Sequence, residues 1–318
     1  MVRRILRWAA KPVRDKILGW VDAARPPPPP PAVVPAPSPT PPRIALNILE
    51  GSDSGRFLEH SVCNAVDMLH PRYAEICAML CETPRWHRKQ WEWVYIAHKL
   101  MHAGVVAPGK RGIVFGVGSE RLPSLFAKMG AGITATDAPP DSNAASEWTA
   151  GNQYSSGRDN LYYPEIVDRP TFDKRVQFQP CDMTAIDPAL TGYDFNWSSC
   201  CFEHLGTLQA GMDFVVDAVE KTLKVGGVAV HTTEFNLSSD DETVTEGGTV
   251  IYRKRDILRL IDTLRSRGHE VADLVVGPHT HPLDHYIDMP PYSQDPHLKL
   301  ALLGFVSTSV GLVIRRRL

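Results

Sequence analysis

No Cys-x-x-Cys pair occurs in the chain, and its six cysteines show no standard zinc spacing. Cys77 and Cys81 stand four apart in a helical pattern, and Cys200 and Cys201 are adjacent, where an intramolecular bridge would be strained. A disulfide or zinc framework is thereby excluded, and a reducing cytoplasm is the expected setting. Long apolar runs are also lacking. The most apolar stretch, Leu300 to Ile314, contains Ser307, Thr308 and Ser309. As a helix it would reach only about 22 Å, short of the ~30 Å hydrocarbon core. It reads as one buried strand, with Arg315, Arg316 and Arg317 emerging into water. The N-terminus is basic but has no continuous apolar core, so no signal peptide is expected. A net charge of −2 gives no global case for nucleic acid, and none is expected as a partner.

Proline is the residue in excess, 27 in 318 residues, and eleven of these lie between Pro26 and Pro42. That tract has too few donors to build a sheet and reads as an extended polyproline II linker over 26–42. Before it, Val2, Ile5, Leu6, Ala9, Val13, Ile17, Trp20 and Ala24 draw one stripe down a helix. Seven Lys and Arg against Asp15 and Asp22 make residues 1–25 a basic amphipathic segment, although Pro12 and Lys16 interrupt it. This segment is expected to meet an anionic membrane surface, placing the protein at the inner face of a membrane.

Residues 43–107 carry a helical pattern punctuated by Pro71 and Pro84 and read as a helical cap. Within it Trp86, Trp91 and Trp93 either pack on a neighbouring domain or face a substrate as a lid. From 108 to 318 strands and helices alternate. Strands are expected at Gly112–Gly116, Ile133–Thr136, Val176–Gln179, Tyr193–Ser198, Val228–Thr233, Val271–Val276 and Phe305–Ile314. Helices are expected at Leu122–Met129, Leu208–Leu223 and Asp256–Arg267. The order argues for a Rossmann-like, doubly wound, mostly parallel α/β sheet. Two long connections, Ala138 to Arg175 and Gly277 to Leu303, read as binding loops or lids.

The strand-turn-helix Gly112-Ile113-Val114-Phe115-Gly116-Val117-Gly118 is the strongest signal. Gly116 and Gly118 let the backbone turn sharply and approach a ligand at the end of the first strand. Asp137 ends the second strand about twenty residues on, where a carboxylate accepts from ribose hydroxyls. A nicotinamide fingerprint would place a third glycine at position 121, where this chain has Arg121. A two-glycine loop suits an adenosyl ligand better. Asp182 and Met183 follow the third strand, where an adenine amino group and ring face would lie.

Glu203-His204-Leu205 follows the fourth strand, and Leu223-Lys224-Val225-Gly226-Gly227 precedes the fifth. With these motifs residues 108–318 resemble the class I S-adenosylmethionine-dependent methyltransferases. Val225 stands in place of the usual proline, Val114 in place of a common acidic residue, and Glu120 in place of a third glycine. The resemblance implies S-adenosylmethionine as cofactor, held by Gly116, Gly118, Asp137, Asp182 and Met183. Ser198 and Ser199 would line the methionine end, and Glu120 would supply the missing carboxylate.

Deprotonation of an acceptor hydroxyl needs a base or a metal. The candidates are His231 and Glu234 at the end of the fifth strand and His204 at the end of the fourth. Alternation sends His231 and Thr233 to one face of the sheet, Thr232 and Glu234 to the other. His279, His281, His285 and Asp288 crowd the second loop, where solvated histidines or a metal site are the two readings; no metal is assigned. Trp148, Tyr154, Tyr162 and Tyr163 either close over an acceptor or anchor the first loop. The expected activity is O-methylation of a glycan, lipid-linked or small-molecule hydroxyl. The alternatives are a non-catalytic adaptor docked on a membrane or partner, and a nicotinamide-dependent oxidoreductase.

Overall fold

Residues 57–141, 154–277 and 279–318 are described by the computed structural model. The expected segments 1–25 and 26–42, the first part of the expected cap and Trp148 lie outside the described residues. The first five strands are β1 (Arg111–Phe115), β2 (Gly132–Asp137), β3 (Val176–Pro180), β4 (Tyr193–Ser199) and β5 (Leu223–Asn236), of which β1 and β5 each contain a buried apolar run. They are followed by β6 (Glu270–Val271), β7 (Ile287–Asp288), β8 (Lys299–Leu302) and β9 (Phe305–Arg315). One sheet contains them all, in the order β3-β2-β1-β4-β5-β9-β8-β7, with β6 also on β9. The first five are mutually parallel, and β9 runs antiparallel beside β5 from Val228↔Arg315 to Asn236↔Ser307. The strand order reverses between β1 and β4, which opens a crevice at the carboxyl ends of the strands. The doubly wound α/β architecture expected from the alternation is present.

Seven α-helices cover the two faces among the described residues: α1 (Ala65–Leu69), α2 (Pro71–Met79), α3 (Arg88–His102), α4 (Leu122–Lys128), α5 (Arg169–Arg175), α6 (Leu208–Asp217) and α7 (Lys254–Ser266). Side chains of α1 to α5 form one apolar core with Phe195, Trp197, Val228 and Val230 of the sheet. Side chains of α6 and α7 form the second with Ala229, Phe235, Val310, Leu312 and Ile314. The helices from the expected cap region thus share their core directly with the sheet. Within α3, Trp91, Tyr95, Ile96 and Leu100 repeat at helical spacing and are buried. The helix lies close on β9: a Cβ added to Gly311 would stand 2.3 Å from the Tyr95 ring, so a side chain there would push the two elements apart.

Several expectations are corrected. The run Leu300–Ile314 is two strands, because Leu303 and Gly304 adopt φ of 50° and 88° and turn the chain back as a hairpin. The strand expected over Val271–Val276 stops at Val271; Leu274, Val275 and Val276 carry apolar side chains but lie outside the ladder. Arg315 and Arg316 do not simply emerge into water. Their guanidinium groups donate to the carbonyls of Gly226 and Leu223, tying the end of β9 to the turn inside β5. Neither long connection is a bare loop: the first contains α5, the second contains β7 and β8. No helix among the described residues is long and apolar enough to cross a membrane.

Candidate active site

Beyond β1 the chain turns through Gly116 and Gly118, whose φ of 61° and 52° fall in the left-handed region. A Cβ on Gly116 would stand 2.9 Å from Cys201 Cβ, so the turn lies against the exit of β4 only as glycine. Gly118 N–H donates to Asp137 Oδ2 at 3.0 Å. The same oxygen accepts from Ser155 N–H at 3.0 Å, and Oδ1 accepts from Ala138 N–H at 2.8 Å. Burial raises the Asp137 carboxyl above its ordinary range, and the three amides pull against that shift. A carboxylate offers about four acceptor positions. A ribose diol donating through both hydroxyls would fill the fourth and replace one of the amides.

A cavity of about 370 Å³ opens beside this turn. Asp182 and Met183 line it from the end of β3, Ser199, Cys200 and Cys201 from the end of β4, Arg85 and His87 from the residues before α3, and Lys89 and Trp93 from its first turns. Asp182 Oδ1 is occupied by the backbone and hydroxyl of Thr184, at 2.8 and 2.7 Å, which fixes the side chain at the strand end. Glu120 is 4% exposed and accepts from Trp197 Nε1 at 2.6 Å. Burial pushes its carboxyl up to about 8. Alone at neutral pH it is largely the neutral acid, and a cationic ligand entering the cavity favours loss of its proton.

Of the residues expected at the site, Gly116, Gly118, Glu120, Asp137, Asp182, Met183, Ser199 and His204 line this cavity. Ser198, His231 and Glu234 do not, and the pleat of the sheet is the reason. Ser198 and His231 are neighbours in register on the face covered by α6. Their side chains meet each other at 2.8 Å, with the imidazole against Phe202 and Phe214. Burial alone lowers the His231 pKa to about 3, so the ring is a neutral core residue. Glu234 points to the α3 face but is not part of the cavity wall, being ion-paired to Arg88 and bonded to Ser307.

That ion pair belongs to a polar network between α3 and strands β4, β5 and β9. Arg88 also donates to Ser309 Oγ at 3.0 Å and to Glu92 Oε1 at 3.4 Å. Glu92, fully buried, accepts from Thr232 Oγ1 at 2.8 Å, Ser199 Oγ at 3.1 Å and Ser309 Oγ at 2.6 Å. Burial opposes its charge, but Lys89 and Arg88 together with the hydroxyls hold its carboxyl below the ordinary range. Strands β4, β5 and β9 are thereby fixed to α3, and Ser199 is fixed at the cavity wall.

His204 is the expected base candidate that reaches the cavity. Its Nδ1 stands 2.8 Å from the Gly248 carbonyl and 3.2 Å from Thr249 Oγ1. A carbonyl only accepts, so Nδ1 bears the proton and the neutral ring has its lone pair on Nε2. Nε2 lies 3.8 Å from Oε1 of the buried Glu203, whose Oε2 accepts from Thr233 Oγ1 at 2.9 Å.

The loop histidines have structural partners. His281 stacks on Trp86 with centroids 5.3 Å apart, and His285 Nε2 meets the His279 carbonyl at 3.0 Å. Asp288 bonds His297 Nδ1 at 2.6 Å and the Ser293 amide at 2.9 Å. In the first loop Tyr154 donates to the Ala138 carbonyl and Tyr163 to that of Ser119. Cys200, Glu203 and Glu234 come within 4.8 Å of one another, but Arg88 already neutralises Glu234. Trp86 and Trp91 are buried packing residues, whereas Trp93 joins the cavity wall. The sequence reading missed Arg85, His87, Lys89 and Glu92; the only signal was their place beside or among the three tryptophans.

No protein-family profile matches the chain, and no curated protein matches it. Solved structures do. A 1,6-didemethyltoxoflavin-N1-methyltransferase from Burkholderia thailandensis, with S-adenosylhomocysteine bound, is 16% identical, with 70% of this chain and 77% of that one covered and a TM-score of 0.40. The magnesium protoporphyrin IX methyltransferase of Synechocystis, also with bound S-adenosylhomocysteine, is 12% identical over 72% and 83% of the two chains, with a TM-score of 0.43. A TehB-like S-adenosylmethionine-dependent methyltransferase from Corynebacterium glutamicum is 14% identical over 69% and 86%, with a TM-score of 0.37.

Proposed function

We propose that this protein is an S-adenosylmethionine-dependent methyltransferase acting on a hydroxyl of a small molecule, with glycan and lipid-linked acceptors as the finer expectation. One observation carries the reading: the glycine turn, Asp137, Asp182 and Met183 line a single cavity at the β1/β4 switch point, where doubly wound sheets bind nucleotides. The residues fit the cofactor. Gly116 lets the turn pack against Cys201 where a Cβ would clash, Asp137 retains acceptor capacity, and Met183 offers an apolar thioether face.

The cofactor supplies an electrophilic methyl on a sulfonium sulfur. The chain supplies the rest. Asp137 and the turn hold the nucleoside, and Glu120 provides a charge-switching carboxyl at the buried end. Ser199, tethered to Glu92, fixes the wall beside the reacting groups. His204 is placed to accept the acceptor's hydroxyl proton on Nε2, and Glu203 beside it stabilises the resulting imidazolium. Arg121, which stands where a dinucleotide fingerprint would have glycine, pairs with Glu82 at 2.8 Å and stacks on Tyr163. Its size and commitments argue against a pyrophosphate at this turn.

A thermal-shift comparison tests the reading against both alternatives. S-adenosylmethionine and S-adenosylhomocysteine at a hundred times Kd should each stabilise by about 2.7 kcal/mol, while NADH and FAD leave the melting temperature unchanged. A shift with NADH alone would make the protein an oxidoreductase, and no shift with any of them would favour the adaptor.

A further inference from the structure

We propose that the α3 end of the cavity binds an anionic group, a phosphate or a carboxylate, so that the methyl acceptor is an acidic small molecule. The inference rests on the cofactor reading for the remainder of the cavity and concerns the wall that reading leaves unused. The cavity has an acidic side, where Asp137 and Asp182 close β2 and β3, and a basic side, where Arg85, His87 and Lys89 precede and begin α3.

Arg85 is the strongest element. Among the described residues its guanidinium has neither an ion pair nor a hydrogen bond, and its Nε is sealed from solvent without a partner. Its backbone N–H donates to Gln90 Oε1 at 2.7 Å and its carbonyl accepts from His87 N–H at 2.9 Å, which fixes the chain but leaves the charge unmatched. A cation held in a cavity wall without a counter-charge is a binding site for an anion.

His87 adds a donor. Its Nδ1 accepts from Lys89 N–H at 3.1 Å, so the proton of the neutral ring must sit on Nε2. Burial, helped by the neighbouring His297, lowers its pKa to about 2 and keeps it neutral. It therefore contributes an N–H and no basic lone pair. Lys89 brings a second positive charge, 3.8 Å from Glu92. Glu92 is shared with Arg88 and three hydroxyls, so it neutralises Lys89 only in part. Two cations and an N–H face one space, matching an oxyanion with several acceptor atoms.

Calorimetric titration of inorganic phosphate, and separately of acetate, into protein saturated with S-adenosylhomocysteine tests this, with chloride holding ionic strength constant. The expected result is saturable binding of at least one anion to the complex. Arg85→Gln should weaken it tenfold or more while S-adenosylhomocysteine affinity stays within twofold. Preference for phosphate or acetate then assigns the acceptor's charged group. Absence of anion binding to the complex overturns the proposal. So does competition between the anion and S-adenosylhomocysteine, or a tenfold loss of S-adenosylhomocysteine affinity in Arg85→Gln, because the wall would then hold the cofactor's own carboxylate. If S-adenosylhomocysteine does not bind the wild type at all, the cofactor reading fails separately. Phosphate or acetate titrated into the free protein and the Arg85→Gln variant then supports the anion site or overturns it.

Discussion

Replacing Arg88 with alanine should cost about 3–5 kcal/mol of stability, because it leaves the Glu234 carboxylate buried without its counter-charge. Arg88 is 7% exposed and Glu234 3%, so water cannot replace the lost partner. Glu92 would keep Lys89, Thr232 and Ser309, whereas Glu234 would keep only Ser307 and the Cys200 thiol. In a protein of this size the loss corresponds to a fall in melting temperature of roughly 10 °C. The double replacement Arg88→Met with Glu234→Met removes both charges and should recover most of it, since apolar side chains of similar volume often substitute for a buried pair. Denaturant unfolding of the three proteins measures this. A single-variant loss under about 1 kcal/mol would show that the network does not bear on stability.

His204→Ala should reduce methyl transfer by about 10²-fold or more while leaving cofactor affinity within twofold, as expected for a proton acceptor that does not hold the nucleoside. Incorporation of a tritium-labelled methyl group from S-adenosylmethionine into a small-molecule extract reads turnover, and titration of S-adenosylhomocysteine reads affinity. Glu203→Gln should weaken the same step less, since the imidazole keeps its tautomer through Gly248 and loses only the stabilising charge. Parallel loss of binding and turnover in His204→Ala would make His204 part of the cofactor pocket. His231→Ala should instead act as a core substitution, losing stability with no selective effect on transfer, because its ring packs against Phe202 and Phe214.

Much of the sheet was legible because its signals are local. β1 and β5 each contain an apolar run, β3 and β4 are short β-patterned segments between turns or caps, and Gly116, Gly118 and Asp137 declare themselves by position at strand ends. The β8–β9 hairpin was not legible, since Leu303-Gly304 sits in an unbroken apolar stretch and only the backbone angles reveal the turn. For Ser198 and His231 the alternation was readable, but which face opens to the cavity depends on where α3 and α6 pack. Glu234 was placed on its correct face but is not in the cavity wall, because its carboxylate is taken by Arg88, which is 146 residues away in sequence. The cationic wall was hidden for a related reason. Arg85, His87 and Lys89 are polar residues beside and between tryptophans, and they become one wall only when the start of α3 is set against the exits of β1 and β4.

Calorimetric titration of S-adenosylhomocysteine into the wild type and Asp137→Ala bears most directly on whether this cavity holds an adenosyl cofactor. The wild type should bind saturably at one site per chain. Asp137→Ala should remain folded and bind about tenfold more weakly or worse, since the ribose loses a charged acceptor worth about 1.5–3 kcal/mol. Absence of binding to the wild type, or equal affinity in the two proteins, would contradict the assignment of Asp137 and of the cavity it lines.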